Sequence, residues 1–190
     1  MRAPFNQADG PGLRTARLLL RPWKESDLVP FAELNADPQV MRFFPKSLTK
    51  TESDGFAARI QDHFTAHGYG LWAVEIIDGS SFIGFVGLSH ATFEASFNPS
   101  VEVGWRLAQP YWGNGYATEG ALAALEYGFN EVNLAEIMAF TAEINVPSWR
   151  VMKRLHMIRK ADFDHPALPI GHPLRPHVHY ASTRHQWSAR

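Results

Sequence analysis

The chain of 190 residues contains no cysteine, which excludes disulfide staples, thiolate nucleophiles and cysteine-ligated zinc or iron–sulfur clusters. It also lacks a dominant charge sign. Eighteen Lys and Arg stand against 19 Asp and Glu, a net charge of −1 with His neutral, so no global field attracts nucleic acid or an anionic membrane. Long hydrophobic runs are missing as well: no stretch approaches the ~20 apolar residues of a membrane span, and the opening MRAPFNQADGPG has no apolar core of the secretory type. These absences set the expectation of a cytoplasmic protein, monomer or homodimer, with neither nucleic acid nor membrane as direct partner.

What is present is material for one core. Apolar residues make up 45%, with 13 Phe, 6 Trp and 5 Tyr, and the length suits a single domain. Residues 1–12 carry Pro4, Gly10, Pro11 and Gly12 with no periodicity and read as a flexible leader to a domain over 13–190. Leu18 to Leu20 read as a first strand, Ser26 as the cap of a helix running to about Asn35, and Thr49 or Thr51 as the cap of a longer helix ending at Gly68. Leu71–Ile77 and Phe82–Leu88 flank the turn Asp78-Gly79-Ser80 as a hairpin. Val101, Val103, Trp105 and Leu107 alternate with Glu102, Gly104 and Arg106 in a half-buried strand. A helix from about Tyr116 to Phe129, a strand over Ile137–Ala142, a helix opened by Pro147 and terminal strands over His177–Trp187 complete the pattern.

The informative junction is strand, glycine pair, helix. Gly113 and Gly115 deliver a helix start whose first backbone N–H groups lack intrahelical partners, with the positive end of the helix dipole behind them. This is either an anion cradle or a tight turn. It is not a dinucleotide fingerprint, which requires glycine at Thr118, nor a Walker loop, which requires Lys followed by Ser or Thr. A second local charge feature lies over 144–160, where Arg150, Lys153, Arg154, Arg159 and Lys160 occur without an acidic residue. The histidines His165, His172, His177, His179 and His185 crowd the tail, yet no metalloprotease-type spacing accompanies them, and no metal is expected.

Trp112-Gly113-Asn114-Gly115-Tyr116-Ala117-Thr118-Glu119 closely resembles the coenzyme-A pyrophosphate loop of the GNAT superfamily of N-acetyltransferases, in its RimJ/RimL-like branch. Leu18-Leu19-Leu20-Arg21-Pro22-Trp23, Val101-Glu102-Val103-Gly104-Trp105, Asn145-Val146-Pro147-Ser148 and His177-Val178-His179-Tyr180 agree with that branch in order and spacing. The sequence departs from it at Pro110, Asn114, His156 and Met157, and Met152 stands where many members carry a tyrosine acid.

The resemblance implies a single α/β domain: a mixed, mostly antiparallel twisted sheet flanked by helices on both faces, splayed between the Val101–Leu107 and Ile137–Ala142 strands. It implies acetyl-CoA as co-substrate and a primary amine as acceptor, either a protein N-terminal α-amine or a small molecule. Gly113, Asn114, Gly115, Tyr116, Ala117 and Thr118 would hold the pyrophosphate, and the strand with Trp105 and Leu107 would meet the pantetheine and the acetyl carbonyl. Asn145 either bonds the pantetheine or ends its strand, and Arg150 and Arg154 either meet the coenzyme's phosphates or form a solvated face. Glu102 is the candidate base and Ser148 the candidate proton donor, with a solvated carboxylate and a helix-cap hydroxyl as the plain alternatives. Phe43 and Phe44 either line the acceptor cleft or belong to the core. Glu102→Gln is expected to lower turnover most at low pH, where neutral amine is scarce. The competing class is a non-catalytic acyl-CoA-binding module, and a histidine-metal hydrolase is a more distant one.

Overall fold

A computed structural model describes residues 11–95 and 97–190, so the leader expected over 1–12 lies outside the described residues as far as residue 10. Pro11 is already tied to the sheet, its carbonyl accepting the Trp72 indole N–H at 2.8 Å. The elements are β1 (Leu13–Arg14), β2 (Leu18–Arg21), α1 (Leu28–Ala36), α2 (Pro38–Met41), α3 (Lys50–His67), β3 (Leu71–Ile76), β4 (Gly84–His90), β5 (Val101–Leu107), α4 (Tyr116–Asn130), β6 (Glu136–Ala142), α5 (Val146–Arg154), β7 (Ile158–Arg159), β8 (Phe163–Asp164), β9 (Pro176–Thr183) and α6 (Arg184–Ser188). The strands form one sheet in the order β1-β2-β3-β4-β5-β6-β9-β7, with β8 beside β9.

Helices cover both faces because successive side chains of a strand point to opposite sides. Phe85 meets Phe31 of α1 and Phe56 of α3 at centroid distances of 6.1 and 5.8 Å. Its neighbour Val86 faces the other way, where Gly120 lets α4 settle so closely that a Cβ there would stand 3.3 Å from a Val86 methyl. Thr49 caps α3 together with Glu52, and Gly68 ends it at φ 74°, as a capping box and a left-handed glycine stop require.

Three local expectations need correction. Ser26 is not the cap of α1. Glu25–Asp27 form a 3-10 turn, and the Asp27 carboxylate accepts from the buried Arg21 guanidinium at 2.8 and 2.9 Å and from the Lys24 amide. The second hairpin strand starts at Gly84, not Phe82. Gly84 takes φ 136°, and a Cβ there would sit 2.1 Å from the Arg106 carbonyl oxygen. The terminal strand ends at Thr183, because Thr183 and Gln186 form a reciprocal capping box that turns the chain into α6. Trp187 then lies against Phe129 at 5.4 Å and donates to Glu126 at 3.0 Å.

All neighbouring strands are antiparallel except β5 and β6. These two run parallel and share a single register pair, Glu102 with Met138, whereas β5 pairs with β4 from Val101 to Leu107. Past that one pair the strands diverge, and the β6-facing edge of 103–107 has no strand partner. Helices α4 and α5 start at the diverging C-terminal ends, so both helix N-termini face the opening.

Candidate active site

The opening is a cleft of about 1490 Å³ that runs from the glycine loop across β5 to the α1–α3 side. Its lining includes every residue that the resemblance gave a catalytic, coenzyme or acceptor role: Phe43, Phe44, Glu102, Trp105, Leu107, the loop from Gly113 to Thr118, Asn145, Ser148, Arg150 and Arg154.

At the loop, Gly113 and Gly115 take φ 78° and 82°, a region that a side chain disfavours. A Cβ on Gly113 would meet no atom within 4 Å, so the space over the loop is open to a ligand. Gly115 is the N-cap of α4 and offers no capping side chain. Among the described residues the amides of 113–118 donate to no protein acceptor, and the first amide to close the helix is Glu119, to the Gly115 carbonyl at 3.0 Å. Unfilled amides converging on open space are a fit for a pyrophosphate.

A clamp that spacing did not reveal holds this loop. Glu119 accepts from Thr15 Oγ1 at 2.6 Å, from the Arg17 amide at 2.9 Å and from Arg17 Nε at 2.7 Å. Arg17 Nη1 also donates to the Asn114 carbonyl at 3.0 Å, and its guanidinium lies 4.7 Å from the Tyr116 ring centroid. Burial pushes the Glu119 carboxyl up, but the bonds from Thr15 and Arg17 outweigh it and hold the group below its ordinary value. The helix-start carboxylate is thereby neutralised by Arg17 beside the open amides.

The cationic block divides. Arg159 pairs with Asp162 at 2.5 Å and Lys160 approaches Glu136 at 3.8 Å, while Lys153 lies over the Trp149 ring at 4.6 Å. Arg150 and Arg154 line the cleft without an acidic partner among the described residues. Asn145 is the N-cap of α5 but makes no cap bond; its Nδ2 donates to Thr141 Oγ1 at 2.9 Å. Ser148, in the first turn of α5, has no side-chain hydrogen bond among the described residues and so is not serving as a cap. The Leu107 carbonyl accepts the Trp112 indole N–H at 2.7 Å, which ties the end of β5 to the glycine loop.

Glu102 stands on the α1–α3 face of β5, half-buried, opposite Ser89. Burial pushes its carboxyl up to about 7, against the hydrogen bond from Ser89 Oγ at 3.1 Å, which favours the charged form. Gly104, next on that face, leaves the floor clear: a Cβ would find only Leu71, at 3.9 Å. Arg106 follows, opposite Phe85, with Phe44 over its guanidinium at 4.1 Å. Phe44 is thus a cleft wall, while Phe43 also packs against the Ala142, Leu168 and Leu174 cluster. Sequence reasoning passed over Arg106 because the polar side of an alternating strand ordinarily faces water. It also passed over Ser89, whose meeting with Glu102 only strand register reveals.

The tail histidines divide too. His165 and His177 lie in the cleft wall with ring centroids 4.9 Å apart. A different trio gathers outside the cleft: His63 and His67, one turn apart on α3, and His90 at the end of β4, with ring nitrogens all within 4.8 Å of one another.

A splayed parallel strand pair, an open amide cradle at a helix start and a titrating carboxylate on a clear strand floor define an acyl-CoA-dependent transferase of the GNAT type. The family model described as "Acetyltransferase (GNAT) domain" matches residues 17–158, and the chain belongs to that family. It is 32% identical to the uncharacterized N-acetyltransferase YnaD of Bacillus subtilis, over 93% of this chain and 99% of that one. A GNAT-family acetyltransferase structure from Bacillus anthracis is 26% identical, covers 92% of this chain and 99% of its own, and superposes with a TM-score of 0.76. Mycobacterium smegmatis RimJ in complex with CoA-disulfide shares the fold at a TM-score of 0.69 and 20% identity, over 94% of this chain and 92% of that one. The activity class is N-acetyl transfer from acetyl-CoA. No helix among the described residues is long and apolar enough to cross a membrane.

Proposed function

We propose that the cleft transfers an acetyl group directly from acetyl-CoA to a primary amine, a protein N-terminal α-amine or the amine of a small molecule, with Glu102 as base and Ser148 as proton donor. The observation that carries this reading is the Glu102 carboxyl, held near neutrality on the open floor of β5, where a base is half-ionised at the pH at which it works. Glu102 accepts the proton of the acceptor ammonium, directly or through water. The freed nitrogen lone pair bonds to the thioester carbonyl carbon; as the C–S bond breaks the sulfur takes a proton from the Ser148 hydroxyl, the surplus proton of the new amide nitrogen restores that hydroxyl, and Glu102 releases its own proton to solvent. A coenzyme thiolate has a pKa near that of cysteine, ~8.5, and needs only a weak acid. The unpaired edge of 103–107 supplies backbone donors to the acetyl oxygen, where charge develops.

The amides of 113–118 hold the pyrophosphate, and Arg150 and Arg154 meet phosphate oxygens at the α5 end of the same cleft. Asn145 contributes its free Oδ1 to the amide-bearing arm. With no cysteine in the sequence, no acetyl-thiol enzyme intermediate is part of this route.

Release of coenzyme-A thiol across a panel of peptides, polyamines and amino compounds tests the reading, and a cysteine-free protein adds no thiol background. Acceptor-dependent release with intersecting initial-rate lines is expected. Acetyl-CoA binding with silence toward every amine overturns transfer in favour of a binding module, and parallel lines overturn the direct mechanism.

A further inference from the structure

Arg106 is a cation without a counterion. Its only hydrogen bond runs from Nη1 to Asn35 Oδ1 at 2.5 Å. Its Nε is buried with no partner, and no acidic side chain pairs with it among the described residues. Rings cover its faces instead: Phe44 at 4.1 Å, Phe85 at 5.4 Å and Phe56 at 5.6 Å from the guanidinium carbon. Burying an uncompensated guanidinium is costly, and here burial pulls the group down to about 10. Such an arrangement persists where a ligand supplies the missing charge. With Nη1 bonded to Asn35 and Nε buried, Nη2 is the nitrogen left to the cleft, where its N–H groups can bond a carboxylate oxygen.

We propose that Arg106 recognises an anionic group of the acceptor, so that the substrate is a primary amine carrying a carboxylate at a fixed distance from the nitrogen. The proposal rests on the acetyl-transfer reading of the cleft. Both ends of the distance are anchored, because Ser89 stands directly opposite Glu102 and Phe85 directly opposite Arg106. Four strand residues separate their α-carbons by ~13 Å. The two groups therefore rise from separate points of one strand face, across the bare floor at Gly104. An ω-amino carboxylate several carbons long can reach both, as can a peptide N-terminus followed by an acidic residue, whereas an α-amino acid carries its two groups on one carbon.

The test compares kcat/KM of the wild-type protein for ω-amino carboxylates of graded length against their primary amides. A parallel series uses peptides with Asp or Glu against Asn or Gln at the second position; the series that discriminates names the source of the carboxylate. A preference for the acid of about 10- to 100-fold is expected, peaking at one length within the ω-amino series or in the acidic peptides. The ratio should collapse toward one in Arg106→Met and recover in part in Arg106→Lys. Equal use of acids and amides by the wild type, or a preference that survives Arg106→Met, overturns the proposal. If no amine is acetylated, the transfer reading has failed, and affinities of N-acetylated acids and amides in the presence of coenzyme A decide this one separately. Tighter binding of the acids, lost in Arg106→Met, upholds it, and equal binding overturns it.

The histidine trio carries a second, independent inference. His63 Nδ1 lies 2.9 Å from the Tyr69 carbonyl oxygen, which can only accept, so Nδ1 carries the proton and Nε2 the lone pair. A carbonyl fixing the far nitrogen of a histidine is the usual support of a metal ligand. His63 Nε2 stands 3.1 Å from His90 Nδ1, close to the ~3.3 Å between two nitrogens bound tetrahedrally at ~2.0–2.1 Å, and in the metal-free protein it accepts the His90 backbone N–H at 3.2 Å, a bond that a metal would replace. The exposed His67 packs its ring 4.4 Å from that of His63 and 4.3 Å from that of His90. We infer a divalent transition-metal site of zinc type, with three imidazoles and a solvent-side water, joining the end of α3 to the end of β4. Calorimetric titration with Zn(II) should show one site, weakened at least 10-fold in His67→Ala and in His90→Ala and retained in His165→Ala. Titration curves unchanged by the first two substitutions, or no Zn(II) binding, overturn it.

Discussion

Glu102 concentrates the chemistry because one side chain is asked to be both buried and charged. Its carboxyl, raised to about 7, holds its proton in the folded protein between the ordinary carboxylate range and neutrality, where the unfolded chain has released it. The folded state therefore binds the extra proton, and stability falls as pH rises from about 4.5 to 7. Glu102→Gln should raise Tm at pH 8, by the equivalent of about 1–3 kcal/mol, and leave it nearly unchanged at pH 4.5; scanning calorimetry at the two pH values checks this. The same proton reverses the expectation drawn from the sequence for Glu102→Gln. Below pH 7 the wild type is itself protonated, so the loss caused by Glu102→Gln is largest above neutrality. Ser89→Ala removes the one bond that favours the charged form, and should move the carboxyl, and the pH–rate limb with it, upward.

Two places in the fold each have a structural lock. In α4 the lock is Arg17, which reaches from the start of β2 to Glu119 and the Asn114 carbonyl. Half of the Arg17 side chain is exposed, so Arg17→Ala should cost only about 1 kcal/mol of stability, yet raise KM for acetyl-CoA severalfold because the loop loses its brace. Gly113→Val places a β-branched residue at φ 78° and fills the space over the amides; coenzyme affinity, read by calorimetry, should drop by more than an order of magnitude. In the β2–α1 corner the lock is the buried Arg21–Asp27 pair, joined by Glu75 at 2.8 Å from Arg21 Nε. Asp27→Ala leaves the guanidinium with only the outer carboxylate and should cost about 3–5 kcal/mol, measurable by denaturant unfolding.

At the scale of the whole molecule, what was legible in the sequence followed from local rules. Alternation located β5, the glycine pair located the start of α4, and Pro147 located the start of α5, so the elements around the splayed end of the sheet were readable. The rest depends on contacts between distant segments. The brace from Arg17 to Glu119 spans 102 residues, and the meeting of Ser89 with Glu102 depends on strand register. The terminal capping box at Thr183 and Gln186 was readable in principle but was masked by apolar alternation that continues through Trp187. Arg106 was hidden for another reason: its pattern is that of a solvated strand face, and only the aromatic cover from α3 and the α2 loop makes that face an interior. A net charge of −1 therefore coexists with three arginines in the cleft wall, Arg106, Arg150 and Arg154, that pair with no carboxylate among the described residues. The most direct test of direct transfer through Glu102 is the pH dependence of kcat/KM with a saturating acetyl donor, in wild type and Glu102→Gln. Wild-type activity should rise through a limb with a midpoint near 7 that is missing from a variant slowed about 100-fold or more; the same limb in both proteins would contradict Glu102 as the base.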